Sequence, residues 1–369
     1  MYRILVINPG GSSTKTAVFE NKKLVYKETI NHSGEELKPF PTVMDQFLYR
    51  KMLILKKLEE NGYSMGSFDA VAGRGGLMRP IPGGTYRVND QMVEDMKNAV
   101  CGEHASNLGC VLARALGDEA GIPAFVVDPV AVDEFDEQSR ITGIKDLTYS
   151  SWLHALNHKA VARKVAENMG GKYEDFNFIV AHLGSGISIA PHKKGRMVDG
   201  SGGRTNGPFS SDRSGGLPAY PLIELCYSGK YTKKEIVDKV SAFGGMYDYL
   251  GTKDLIKIEE MMDNGSAYAK LIMNAFVYQV SKEIAMYGAT LEGQVHRIIL
   301  TGGIAHSMWV VEGVTSQVQW LAPVEVIPGE MEMEALALGV LRVLNGIETG
   351  KEYMPGRLSA EWSKDEKLQ

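Results

Sequence analysis

The chain has 369 residues, 44% of them apolar and 23% charged, with a formal net charge of −5. This is the composition of a soluble globular protein of one large or two ordinary domains. The negative balance argues against a surface for nucleic acid, and no apolar run is long enough to cross a bilayer. Cys101, Cys110 and Cys226 are odd in number and fit neither a C-x-x-C redox motif nor zinc spacing. No signal-peptide pattern precedes the first strand, so the expected setting is the reducing cytoplasm.

The stretch from Ile4 to Phe19 opens with a β-branched run, breaks at Asn8-Pro9-Gly10-Gly11-Ser12-Ser13-Thr14-Lys15, and returns to apolar alternation. It reads as a β-hairpin with a polar tip, in which glycines admit a ligand close to the backbone. Asn, Ser, Thr and Lys there are donors suited to phosphate oxygens. The G-x-x-x-x-G-K-[ST] phosphate loop is absent. An ordinary tight hairpin would look the same in isolation. A third strand is expected over 23–30, a helix over 42–61 and a buried strand over 68–72. That strand runs into Gly73-Arg74-Gly75-Gly76. A solvated charge is the plain reading of Arg74, and an anion-binding arginine the alternative.

Helices are expected over 90–101 and 107–117, with His104 between them. The strand 123–129 ends in Asp128, either a helix cap or a carboxylate for a metal-bound water. A helix over 152–169 carries His154 and His158 four residues apart, but without the glutamate of a zinc motif. The opening pattern then returns. Phe178 to Ala190 is again strand, glycine turn and strand, with His182 at the place of Asn8 and Gly184 at that of Gly10. A duplication with an offset of half the chain implies two homologous domains, each opening with a three-stranded meander, and a cleft between them. The loop 200–216 is long and polar, as functional loops are. Four helices are expected over 218–228, 233–241, 252–263 and 266–290. A strand from Arg297 runs into Gly302-Gly303-Ile304, followed by a strand over 324–328. The helix over 330–345 has Glu330, Glu332 and Glu334 in its first turn. These suit the helix dipole or a magnesium shell equally. The tail 350–369 is charged and expected to pack loosely.

The duplicated meanders, the late T-G-G turn and the missing phosphate loop resemble the superfamily of acetate and sugar kinases, chaperone ATPases and actin. Within it, Asn8 to Lys15 resembles the N-x-G-S-S-[ST]-K signature of the carboxylate kinases, the acetokinase family, with one extra glycine. His182-Leu183-Gly184-Ser185-Gly186 resembles their H-L-G-[NS]-G block, and Ser211-Asp212-Arg213-Ser214-Gly215 their second arginine block. The pattern is most similar to the butyrate-kinase branch.

The resemblance implies an α/β fold of two duplicated ribonuclease-H-like domains (βββαβαβα). The N-terminal domain would span 1–155, with a C-terminal helix and tail, about 335–369, packing back on it. The nucleotide-binding domain would span 156–334. The implied activity is ATP-dependent phosphorylation of butanoate to butanoyl phosphate, by in-line transfer with Mg²⁺. The implied catalytic residues are Arg74, Asp128, His158, His182 and Arg213. Gly75, Gly76, His104 and Pro208 would line the acid, and Asn8, Ser12, Lys15, Gly184, Gly186, Gly302, Gly303 and Ile304 the nucleotide. Asn8 with Glu332 or Glu334 would serve the metal. A homodimer or larger homo-oligomer is implied, and ATP synthesis from acyl phosphate at the end of fermentation. Acetate kinases carry bulky aliphatic residues where this chain has Gly75-Gly76, so an enlarged acyl pocket is expected, each added methylene being worth roughly 0.8 kcal/mol. Alternatives are kinases for isobutyrate, propionate or acetate, a hydroxyl kinase, or a nucleotide-gated binding protein.

Overall fold

The computed structural model describes residues 1–202 and 206–354. The expectations for the tail 355–369 and for residues 203–205 of the polar loop lie outside the described residues. The chain divides into two compact units, Met1–Asp133 with the segment from Met331 onward, and Glu134–Glu330. Residues 134–155, expected with the N-terminal domain, group with the second unit. There Glu134 takes the Met197 N–H and the Lys159 ammonium, and Asp136 donates its N–H to Val198. No helix among the described residues is long and apolar enough to cross a membrane.

The first unit runs β1 (Arg3–Pro9), β2 (Ser13–Glu20), β3 (Lys23–Asn31), a short α1 (Gly34–Leu37), α2 (Phe47–Glu60) and β4 (Ala70–Gly73). It continues with β5 (Thr85–Arg87), α3 (Asp90–Lys97), α4 (Asn107–Ala120) and β6 (Ala124–Val127). The second unit holds α5 (Ala155–Asn168), β7 (Asn177–Leu183), β8 (Ile187–Lys193), β9 (Arg196–Met197), β10 (Ser201–Gly202) and α6 (Ala219–Tyr227). Then come α7 (Lys233–Ser241), α8 (Gly245–Leu250), α9 (Leu255–Asp263), α10 (Ala267–Thr290), β11 (Arg297–Gly302), α11 (Met308–Val318) and β12 (Val324–Pro328). The chain returns to the first unit with α12 (Glu332–Leu344) and β13 (Lys351–Glu352).

The first sheet has the order β13-β5-β6-β4-β1-β2-β3, and the second the order β10-β8-β7-β11-β12, with β9 on β8. In both, the first strand of an antiparallel meander pairs in parallel with the next strand of the unit. The expected duplication is therefore present in the central strands, β2-β1-β4-β6 of the first sheet matching β8-β7-β11-β12 of the second, while β5 and β13 have no counterpart among the described residues. β1 and β7 are each seven residues long, and Asn8 and His182 are each the sixth. Asn8 lies opposite Lys15 in register, and His182 opposite Ser188.

The central strands read as unbroken apolar runs because both of their faces are covered. Leu5 and Ile7 of β1 pack into the core formed with Ile54, Leu58, Leu108 and Leu112. On the same sheet α12 packs so closely that a Cβ on Gly339 would lie 2.4 Å from a Val127 methyl. The end of β4 is fixed by backbone contact with α4. A Cβ on Gly109 would lie 2.3 Å from the Arg74 carbonyl oxygen, and one on Gly73 2.1 Å from that of Gly109.

The tip of the first hairpin rests on a buried arginine. Arg50 of α2 is 1% exposed and donates to the carbonyls of Gly10 (2.9 Å), Gly11 (3.0 Å) and Ser13 (3.1 Å), to Thr14 Oγ1 (3.0 Å) and to Gln46 Oε1. His32 Nε2 meets Thr14 Oγ1 at 2.8 Å. Burial, aided by the Arg50 charge, pushes the His32 pKa down to about 4. A neutral buried imidazole contributes stability above its unfolded pKa and loses it as pH falls through the folded value. His158 and His192, pushed down mainly by burial, act with the same sign.

Arg50→Met leaves the Gly10 and Gly11 carbonyls without this donor, and is expected to cost about 3 kcal/mol in urea unfolding, with Arg50→Lys recovering part of it. The wild-type urea midpoint is expected to fall between pH 6.5 and about 4, with a shallower slope in His32→Asn; an unchanged slope in that variant contradicts the assignment.

Candidate active site

Two polar clusters form at the carboxyl ends of the strands, one in each unit. In the first, Asn8 at the end of β1 donates from Nδ2 to Glu332 Oε2 (2.8 Å). Arg74 follows β4 directly. Its Nη1 lies 2.5 Å from Glu332 Oε1 and 3.3 Å from Asn8 Oδ1. Glu332 is the first residue of α12, so the helix that covers the sheet delivers its carboxylate to the arginine. Arg74 keeps 31% of its side-chain surface exposed and Glu332 14%, so a ligand can still reach the guanidinium. Ser12 and Lys15 are exposed on the neighbouring hairpin.

In the second unit, His182 at the end of β7 stacks on His154, with centroids 4.0 Å apart and planes 15° from parallel. Asn157 Nδ2 donates to His182 Nδ1 (3.0 Å) and toward Thr301 Oγ1 (3.2 Å), and Thr301 donates to the Gly329 carbonyl. Because Nδ1 accepts, the proton of a neutral His182 sits on Nε2, 3.7 Å from Glu330 Oε1. The turn 184–186 lies against these rings. A Cβ on Gly184 would be 3.3 Å from His182 Nε2, and one on Gly186 3.1 Å from both His154 Nε2 and Arg213 Nη1. Arg213 is held by its backbone, with its N–H on Ser210 Oγ and its carbonyl accepting from the Ser210 N–H. Among the described residues no carboxylate pairs with its guanidinium.

Several expectations are corrected. His158 is fully buried, and its ring nitrogens are bound to His192 and Ser188, so it cannot touch a substrate. The helix begins at Ala155, not Trp152; His154 precedes it and turns toward Gly186 while His158 faces inward. His154 is the residue the sequence reading passed over. Asp128 is also fully buried, at φ +36°, with Oδ1 accepting the Gly84 N–H at 2.7 Å and its own N–H on the Gly84 carbonyl. It anchors that turn rather than facing an ion.

No room opens beside Gly75 and Gly76 themselves. A Cβ on Gly75 would lie 2.3 Å from Pro129 Cβ and 2.5 Å from Val126 Cγ1, and one on Gly76 2.2 Å from Asn107 Oδ1. The chain's own atoms occupy the space the glycines leave. His104 is exposed ahead of α4, with Nδ1 on the Ser106 hydroxyl, and Pro208 is buried beside Gly215. Gly302, at φ +88°, would place a Cβ 2.4 Å from the Leu183 carbonyl, so the fold itself requires glycine there. Ile304 belongs to the core, and Gly303 presents open backbone.

The three glutamates part company. Glu330 faces His182, and Glu332 faces Asn8 and Arg74. Among the described residues no three His, Cys, Asp or Glu side chains converge as a metal cage. Magnesium commonly uses one or two carboxylates, several waters and the phosphates of its nucleotide, and Glu332 with Asn8 fits that mode.

Residues 148–326 match the acetokinase family. The fold is that of acetate kinase. The Porphyromonas gingivalis acetate kinase aligns with a TM-score of 0.77 at 20% identity, over 93% of this chain and 100% of that one. The Entamoeba histolytica acetate kinase gives 0.72 at 17%, over 91% and 98%. A propionate kinase from Francisella tularensis gives 0.67 at 20%, over 92% and 99%. The expected α/β class with two domains therefore holds.

Gly186→Ala tests the second cluster. The backbone there tolerates a side chain, but the methyl displaces His154 or Arg213 by a few tenths of an ångström. Turnover in the acyl phosphate assay described below is expected to fall roughly tenfold with the melting temperature unchanged. Undiminished turnover contradicts the placement of the site.

Proposed function

We propose that the chain is an ATP-dependent carboxylate kinase, transferring the γ-phosphoryl of ATP to a short-chain acid. The observation that carries this reading is Arg213 beside the stacked imidazoles at a glycine turn, in the segment that matches the acetokinase family. A guanidinium that no described carboxylate neutralises, set beside N–H donors, is what a developing anionic phosphoryl group requires. Arg74 serves the carboxylate of the acid. Asn8, Ser12 and Lys15 serve the phosphates, and Gly303 offers close backbone to the nucleotide.

A carboxylic acid with a pKa near about 4–5 is already ionised at neutral pH, so the reaction needs no general base. The obstacle is bringing an anion against a polyanion. The work is therefore positioning and charge stabilisation: Arg213, His182 and His154 take the phosphoryl oxygens, and Arg74 exchanges Glu332 for the acid. Glu332 and Asn8 would hold a magnesium ion, which would supply positive charge at the nucleotide phosphates. The attacking carboxylate oxygen bonds to phosphorus as the bond to the ADP oxygen breaks, and ADP leaves with that electron pair. Butanoate is our proposed acid on the strength of the sequence blocks; the space beside Gly75 and Gly76 does not support it.

Acyl phosphate trapped as hydroxamate, with acetate, propionate, butanoate and isobutyrate as acids, measures the reaction. Arg213→Ala and Arg74→Ala are each expected to lower kcat by roughly a hundredfold, with Arg74→Ala also raising KM for the acid. Full turnover in both variants, or slow ATP hydrolysis indifferent to every acid, overturns the reading. Butanoate is expected to give the highest kcat/KM, and equal values for acetate would remove it as the preferred acid.

A further inference from the structure

A chain of buried side chains runs from the interior of the second unit to His154. The Tyr173 hydroxyl meets His192 Nδ1 at 2.6 Å, and His192 Nε2 meets His158 Nδ1 at 3.2 Å. His158 Nε2 meets Ser188 Oγ at 2.9 Å, and Ser188 Oγ meets His154 Nδ1 at 2.8 Å. Tyr173 is 3% exposed, and His192, His158 and Ser188 are fully buried. The last ring is the one beside Gly186 and Arg213.

A neutral imidazole has one donor and one acceptor nitrogen, so each link fixes the next. Only two proton orders satisfy every atom. In one, Tyr173 donates to His192, His192 to His158, His158 to Ser188, and Ser188 to His154. All three histidines then carry the proton on Nε2, and His154 presents an N–H beside Gly186. In the other order every bond is reversed, all three carry it on Nδ1, and His154 presents a lone pair.

The charges at one end choose between them. The Lys159 ammonium, paired with Glu134, and the Arg163 guanidinium each lie 5.5 Å from the centre of the Tyr173 ring, and both charges act on His192. These cations at the Tyr173 end favour the order whose protons point away from them. We propose that this relay locks His154 as the Nε2–H tautomer, making it a neutral hydrogen-bond donor to the anion at the Gly184–Gly186 turn, with Ser188, His158, His192 and Tyr173 as positioning residues. A lone pair there would repel a phosphoryl oxygen, so the order of protons decides whether His154 helps or hinders. The tautomer stands on the hydrogen bonds and the two neighbouring cations, whereas its use rests on the carboxylate kinase reading.

The test is long-range ¹H–¹⁵N correlation on the full chain labelled with ¹⁵N-histidine, assigned with His154→Gln, His158→Gln and His192→Gln. His154, His158 and His192 are all expected as Nε2–H. An Nδ1–H signal from any of the three overturns the relay. Ser188→Ala cuts the chain, and is expected to leave His158 and His192 as Nε2–H while His154 becomes a mixture of tautomers. In the same variant kcat for acyl phosphate is expected to fall roughly tenfold with KM for ATP unchanged, the scale of one hydrogen bond. Unchanged kcat overturns the role in turnover. The wild-type spectrum decides the proton order whether or not Ser188→Ala folds. A wild-type chain that makes no acyl phosphate defeats the kinase reading and leaves that spectrum still decisive for the relay.

Discussion

Two stacked imidazoles and an arginine with no carboxylate partner among the described residues put several N–H donors around one glycine turn. Nothing described in that unit neutralises the guanidinium, so the arrangement is stabilised most by an anion. Other features of the second unit serve this one. Asn157 and Thr301 set the His182 tautomer, Ser188 reaches His154, and the Ser210–Arg213 turn aims the guanidinium. The strands beneath are buried throughout, so these side chains stand on a base that does not yield.

The first unit meets the same demand differently. Arg74 is already compensated by Glu332, and Asn8 bridges to the same carboxylate. On the proposed reading, a substrate carboxylate at Arg74 would displace or share an existing partner, which would favour acids that bring further binding energy. The hairpin tip beside Asn8 is braced from below by Arg50, a buried cation held by carbonyl, hydroxyl and amide oxygens. The duplication thus supplied one strand frame and two kinds of tip, one with its charge balanced and one with its charge open.

Much of this was legible in the chain itself. The return of strand, glycine turn and strand at Phe178 placed His182 opposite Asn8 in the two sheets, and the burial of β1 and β7 follows from their apolar runs. What escaped did so for physical reasons. His154 and His158 both meet the Ser188 hydroxyl, but only His154, ahead of the helix, reaches Gly186. Gly75 and Gly76 looked like space, but glycine also marks a close approach, and Pro129, Val126 and Asn107 make that approach from distant stretches of chain. Asp128 at a strand end suits a helix cap or a metal-bound water, yet at positive φ it turns inward onto Gly84. Arg50 hid within an amphipathic helix whose period says nothing of which polar residue is buried. Helix α11 was missed for its valines, though Ser307 caps it and Val310, Val314 and Val318 repeat at helical spacing.

On the proposed reading the phosphoryl group passes directly from nucleotide to acid, with the histidines only donating hydrogen bonds. The stereochemical course at phosphorus tests this most directly. With ATP made chiral at the γ-phosphorus by oxygen isotopes, the acyl phosphate is predicted to form with inversion of configuration. Retention would mean a phosphorylated side chain between two displacements, and would contradict the account.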